Sequence, residues 1–161
     1  MTTQEPYIFK RSSNNTYIFE TESDILYSIE FTDGSYYFHR LPEYLNVFEF
    51  SINILRVDEN ISPPLDKRVE TTIVKILSTF LSSKENVVIY VCQNLDDRHF
   101  ARKRKFDIWF KQNATDNLEK YDSTINYDNM VFLTSLIVHS NNSHKEDIIE
   151  LFFEQPNQLG K

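Results

Sequence analysis

Glycine is nearly missing from this sequence: two residues in 161, Gly34 and Gly160, where about 7% would be ordinary. Loops that cradle phosphate, turn around a dinucleotide or hold a nucleophile on a sharp elbow depend on glycine. Only a residue without Cβ lets backbone approach a ligand closely or take positive φ freely. None of these can be built here in its usual form, so nucleotide-dependent catalysis is a poor expectation. Cysteine is scarcer still. Cys92 stands alone, no internal disulfide can form, and a reducing, cytoplasmic compartment is the simplest reading. No apolar run reaches the roughly 18 residues of a membrane span, and the opening MTTQEPYIFKRSSNN lacks the charged and then apolar regions of a secretory signal. The Asn-X-Ser/Thr matches at Asn14, Asn60, Asn113 and Asn141 then follow from a composition rich in Asn and Ser. Positive charge is also short: 17 Lys/Arg against 24 Asp/Glu give a net charge of −7. That balance opposes general attraction to nucleic acid or an anionic membrane.

What is present is a chain rich in rings, with 13 Phe, 9 Tyr and one Trp, long enough to bury one sizeable core. Over residues 1–57 it reads as strands and hairpins. Tyr7-Ile8-Phe9 and Tyr17-Ile18-Phe19 recur around the loop RSSNN, as the two arms of a hairpin would. Asp33-Gly34 carries the strongest short hairpin signal. A two-residue turn there would pair Thr32 with Ser35, Phe31 with Tyr36 and Ile29 with Phe38, putting apolar residues on one face. VFEFSINIL alternates as a further strand.

The period then changes. Ser62-Pro63 reads as a helix start, and Leu65, Val69, Ile73, Ile76, Leu77 and Phe80 recur at helical spacing, predicting a helix over 63–82. Residues 86–92, within the run NVVIYVC, read as a strand buried on both faces. Residues 95–112 read as a basic and aromatic helix, with Asn94, Asp96 and Asp97 as its cap and first-turn acids. Residues 118–139 hold two strands joined at Tyr127-Asp128-Asn129. A capping-box pattern at Ser143 and Glu146 opens a last helix over 144–155, which Pro156 ends. The expected architecture is a single α+β domain: a mainly antiparallel sheet of about six to eight strands packed with three helices.

The chemistry-bearing residues concentrate in VIYVCQNLDDRHFARKRKFDIWF, Val88 to Phe110. Cys92 and Arg98 have the Cys-x5-Arg spacing of cysteine-dependent phosphatases, but the loop between them has no glycine. Asp96 and Asp97 would also set negative charge where a phosphate must lie, and would raise rather than lower a thiol pKa. Val91 and His99 replace the His before the nucleophile and the Ser/Thr after the Arg. A Cys92–His99 nucleophile pair could approach across the loop, but spacing alone does not orient it and nothing supplies a recognisable oxyanion hole. His139 and His144 lack a third ligand, so neither a metal nor any cofactor is implied. No catalytic residue is assigned, and the balance leans against an enzyme.

The basic run remains. Arg98, Arg102, Lys103, Arg104 and Lys105 fall within eight residues, with Phe100, Phe106, Trp109 and Phe110 interleaved. At 100° per residue Arg98, Arg102 and Lys105 share a side while Lys103 and Arg104 lie elsewhere. The helix therefore has no single basic face, and its long stems suit packing over apolar surface with charged heads reaching water or acidic partners. The candidate binding residues are Arg98, Arg102, Arg104, Lys105 and Trp109.

PPLDKRVETTI, IYVCQNLD and ARKRKFDIWF, in that order, resemble a family of small bacterial proteins, found chiefly in Bacteroidetes and defined by a domain of unknown function, number 6169. The resemblance runs from the N-terminal strands to the final helix. It implies a bacterial, cytoplasmic protein, confers no activity, and marks Asp96, Arg102, Arg104, Phe106, Trp109 and Phe110 as positions to watch. The expectation is a non-enzymatic protein-interaction module that meets a partner protein or a second copy of itself, with no membrane association. Nucleic-acid binding through 98–111 is the alternative, and a Cys/His-dependent enzyme the third reading.

Overall fold

The computed structural model describes residues 5–12, 15–38, 40–58, 60, 66–93, 98–115 and 117–158. Its strands are β1 (Phe9–Arg11), β2 (Thr16–Glu20), β3 (Leu26–Asp33), β4 (Asn46–Arg56), β5 (Asn86–Gln93), β6 (Leu118–Tyr127) and β7 (Met130–His139); its helices are α1 (Lys67–Phe80), α2 (His99–Asn113) and α3 (Lys145–Gln158). The strands form one sheet in the order β1-β2-β3-β4-β5-β7-β6. Every neighbouring pair is antiparallel except β4 and β5, which run parallel and are joined over one face by α1. This is the α+β architecture the patterning implied, with seven strands and three helices among the described residues.

Both faces of the sheet are covered. On one, α1 and α2 bury Ile73, Ile76, Leu77 and Phe106 against Tyr17, Phe19, Ile29, Phe31 and Phe50. On the other, Ile148 and Phe152 of α3 meet Val47, Val87, Ile89, Leu136 and Val138. β5 lies between, so Val87, Val88 and Ile89 are fully buried, which is why its sequence is a continuous apolar run.

The first hairpin forms as its ring spacing suggested, with Phe9 opposite Phe19 and Arg11 opposite Tyr17. The Asp33-Gly34 hairpin does not form. β3 takes β4 as its partner, with Phe31 opposite Phe50 and Ile29 opposite Ile52. Gly34 sits at φ −102°, and the Asp33 carboxylate accepts from the Ser35 amide (3.0 Å) and hydroxyl (2.9 Å), turning the chain into a short 3-10 turn, Ser35–Tyr37. The reason is tertiary. Pairing with β4 stacks Phe31 against Phe50 and Phe80, while Tyr37 and Phe38 are released to cover the opposite face. Gly34 is needed for a different reason from the one its turn signal gave. A Cβ there would lie 3.0 Å from the Glu49 amide nitrogen and the Phe48 carbonyl carbon. The positive-φ turn belongs instead to Asp128 and Asn129, at φ 49° and 62°, which join β6 to β7 where two strands were expected.

The helix ends also shifted. α1 starts at Lys67, not 63, capped by the Asp66 carboxylate, which accepts from the Arg68 amide at 2.9 Å; Ser62, Pro63 and Leu65 lie outside the described residues. α2 starts at His99 with no side-chain cap at Arg98, and Asn94, Asp96 and Asp97 lie outside the described residues. Ser143 does not cap α3: its amide and hydroxyl bind Glu85 (3.2 and 2.7 Å), while Asn142 Oδ1 accepts from the His144 amide at 2.8 Å. Pro156 falls within the final turns of α3, which runs on to Gln158.

Candidate interaction cleft

β4 and β5 pair only from Asn46–Glu49 to Asn86–Ile89. Beyond that point β4 continues to Arg56 along β3, and β5 continues to Gln93 along β7. The two strands part, and a cleft of about 690 Å³ opens between them and the α1–α2 layer. Phe50, Tyr90 and Phe106 meet where the ladder stops, with ring centroids 5.5, 5.8 and 4.4 Å apart.

The periodicities of the elements decide what lines the cleft. From β4 come Phe50, Ile52 and Ile54 at spacing two; from α1 and its cap, Asp66, Val69, Glu70 and Ile73; from α2, Arg102, Lys105, Phe106 and Trp109. Both helical sets follow the i, i+3, i+4, i+7 stripe that one face of a helix presents. The result has an apolar floor, an acidic α1 wall and a basic α2 wall. One of its apolar lining residues, Ile54, is itself half exposed (50%).

The basic run is divided among three environments. Arg102, Lys105 and Trp109 come together at the cleft, the Lys105 ammonium 5.1 Å from the Trp109 ring centroid. Arg98 and Arg104 are exposed and do not line it. Lys103 is buried in a four-member charge cluster. Its ammonium donates to both Asp107 oxygens (2.8 Å each) and to Asp122 Oδ1 (2.7 Å), while Lys120 binds the same two carboxylates at 2.8 Å. Partial burial pushes the Asp122 carboxyl upward, but hydrogen bonds from Lys103, Lys120 and Ser135 outweigh it and hold the pKa at about 2. Phe106 and Phe110 are core residues. Sequence reading missed Asp66, Glu70, Ile52, Ile54 and Tyr90. The α1 stripe was visible as helical spacing, but nothing local said that β4 outruns its pairing with β5.

Cys92 is buried beside the cleft. Burial raises its pKa, against the lowering effects of the Tyr90 hydroxyl, Arg102 and Lys103. Tyr90 is itself pushed far above the ordinary phenol range by burial and by its hydrogen bond to Cys92. The thiol is therefore protonated at neutral pH, the wrong state for a nucleophile. His99 is buried, and its Nδ1 has no partner among the described residues. Of the other histidines, His139 Nδ1 accepts from the Asn141 amide at 3.0 Å and His144 packs on Tyr44. Among the described residues no group of three His, Cys, Asp or Glu side chains could hold a metal ion, and none of the helices described is long and apolar enough to cross a membrane.

The family of unknown function DUF6169 matches the chain over residues 65–154, more than half of it. The match takes in α1, β5, α2, β6, β7 and most of α3. It stops short of the N-terminal strands, to which the sequence resemblance had been extended. No curated protein and no solved structure matches the chain significantly.

Proposed function

The chain belongs to the family of unknown function DUF6169, and we propose from its own geometry that it is a non-enzymatic module that takes a segment of a partner protein in the cleft. The observation that carries this reading is the cleft's composition: an apolar floor that reaches the surface at the half-exposed Ile54, between opposed charged walls. Exposed apolar surface next to a concave site is the usual mark of a contact surface. Its two walls fit a segment carrying an acidic residue for Arg102 and Lys105 and a basic residue for Asp66 and Glu70. A protonated Cys92 lends no support to thiol catalysis, and its being the lone cysteine suits a reducing cytoplasm. Nucleic-acid binding has weaker support, because Lys103 is bound by Asp107 and Asp122, and of the remaining cations only Arg102 and Lys105 share the cleft, while Arg98 and Arg104 do not line it.

The test compares the tagged chain with Ile54→Arg, a change at an exposed position that leaves the core intact. Species retained by the native chain and lost from the variant support the reading. Identical retention by both would overturn it. So would binding of a labelled oligonucleotide that weakens steeply with salt and disappears in Arg102→Ala/Arg104→Ala.

A further inference from the structure

We infer that the occupant of the cleft enters as a β-strand, an extended segment of a different protein that hydrogen-bonds to the edge of β4 over Phe50–Ile54. This rests on the cleft being an interaction site and specifies how the partner is held.

The argument begins with backbone groups. From Phe50 onward β4 is held on one side by β3, and among the described residues no strand pairs with its other side. A strand edge presents a row of amides and carbonyls that water or another strand must satisfy. Proteins commonly blunt such edges by shortening them or placing Lys, Pro or a bulge there. The outer edge at β1 is blunted in this way: three residues, two of them Lys10 and Arg11. The β4 edge reads FSINI from Phe50 to Ile54, with no Pro, Gly or charge. An irregularity in the β3–β4 register between Leu26 and Tyr27 places a bulge at Leu55, which marks the far end of the usable stretch.

The side chains agree with the backbone. An added strand would lie in the sheet plane with alternate residues facing the α1–α2 layer. There they would meet Ile52, Ile54 and Trp109, with Arg102 and Lys105 beyond them. The fitting partner segment is therefore extended, apolar at alternate positions, and acidic where it passes α2. A second copy of this chain is the poorer fit, since each copy carries a net charge of −7 and like charge opposes close approach.

The experiment selects binders to the full chain from a displayed library of random dodecapeptides. The tightest is resynthesised with its backbone amides N-methylated one at a time. Strand addition predicts affinity reduced about tenfold or more at alternate amides and little changed between them, because only every second amide faces β4. It also predicts loss of binding to Ile54→Arg. A peptide lost from Ile54→Arg but indifferent to N-methylation would overturn strand addition while leaving the cleft as the docking site. Peptides that bind native and variant chains alike, or the selection of none, would overturn both. A dimer in sedimentation that Ile54→Arg dissolves would overturn the assignment to a different protein.

Discussion

The Lys103 ammonium and the Asp122 carboxylate meet at 2.7 Å across the space between α2 and β6, 19 residues apart in the chain. Around this contact Asp107, Lys120 and Ser135 complete a neutral cluster. A cation from the run that most suggested an external anion is thus spent internally. The pair ties α2 to β6, beside the core contacts of Phe106 and Phe110 on the same helix.

Lys103→Ala removes a buried ammonium and leaves two carboxylates sharing Lys120. The expected cost is about 1–3 kcal/mol in chemical denaturation. Arg104→Ala, at an exposed position, should change stability by less than about 0.5 kcal/mol. Equal effects would mean that the cluster does not anchor α2.

The same cluster sets an acid limit. Asp122 ionises more readily in the folded state, at about 2, than its ordinary value of 3.8. Its stabilisation is therefore complete above pH 3.8 and is lost as pH falls from there toward 2. Because the side chain is half exposed, about 1 kcal/mol is the expected share after solvent screening. Asp122→Asn should flatten the stability profile between pH 4 and 2 relative to the native chain. An unchanged slope would assign the acid limit to other groups.

Gly34→Ala should destabilise the fold by about 1–3 kcal/mol, since the added methyl group meets the β4 backbone rather than a yielding side chain. Gly34→Asn should be no better, although asparagine would suit a positive-φ turn. At Asn129, φ 62°, the reverse holds: Asn129→Gly should be neutral or slightly stabilising and Asn129→Val should cost about 1–2 kcal/mol. Thermal unfolding of the four variants separates the two roles.

Asp66 joins the start of α1 to the N-terminal segment: it accepts from the Arg68 amide and from the Tyr7 hydroxyl, while the Arg68 guanidinium lies 3.9 Å over the Tyr7 ring. Asp66→Ala should cost about 1–2 kcal/mol, most of it lost capping. Tyr7→Phe, which removes only the hydroxyl, should cost less. The reverse order in denaturant midpoints would show that the tie to Tyr7 matters more than the cap.

Iodoacetamide should modify Cys92 in the folded chain about tenfold or more slowly than in denaturant at pH 8, because burial both shields the thiol and raises its pKa. Fast modification of the native chain would restore thiol chemistry as a reading of this site.

The sequence by itself determined the class of fold and most of its elements. Period-two patterning in VFEFSINIL, helical spacing from Val69 to Phe80 and the continuous run of β5 are local consequences of which faces must be buried, and they survive into the structure. Lys103 and Asp107, four residues apart, form a contact that helical geometry alone would suggest. Tertiary structure decided the partners. Asp33-Gly34 had the local chemistry of a hairpin turn, yet β3 pairs with β4 because eight residue pairs and the rings of Phe31, Phe50 and Phe80 outweigh one turn. The fate of the basic run was likewise set by Asp122 and Lys120, on a strand no helical period reaches. The cleft exists because β4 continues past its pairing with β5, and strand pairing is a relation between distant segments that neither sequence carries alone.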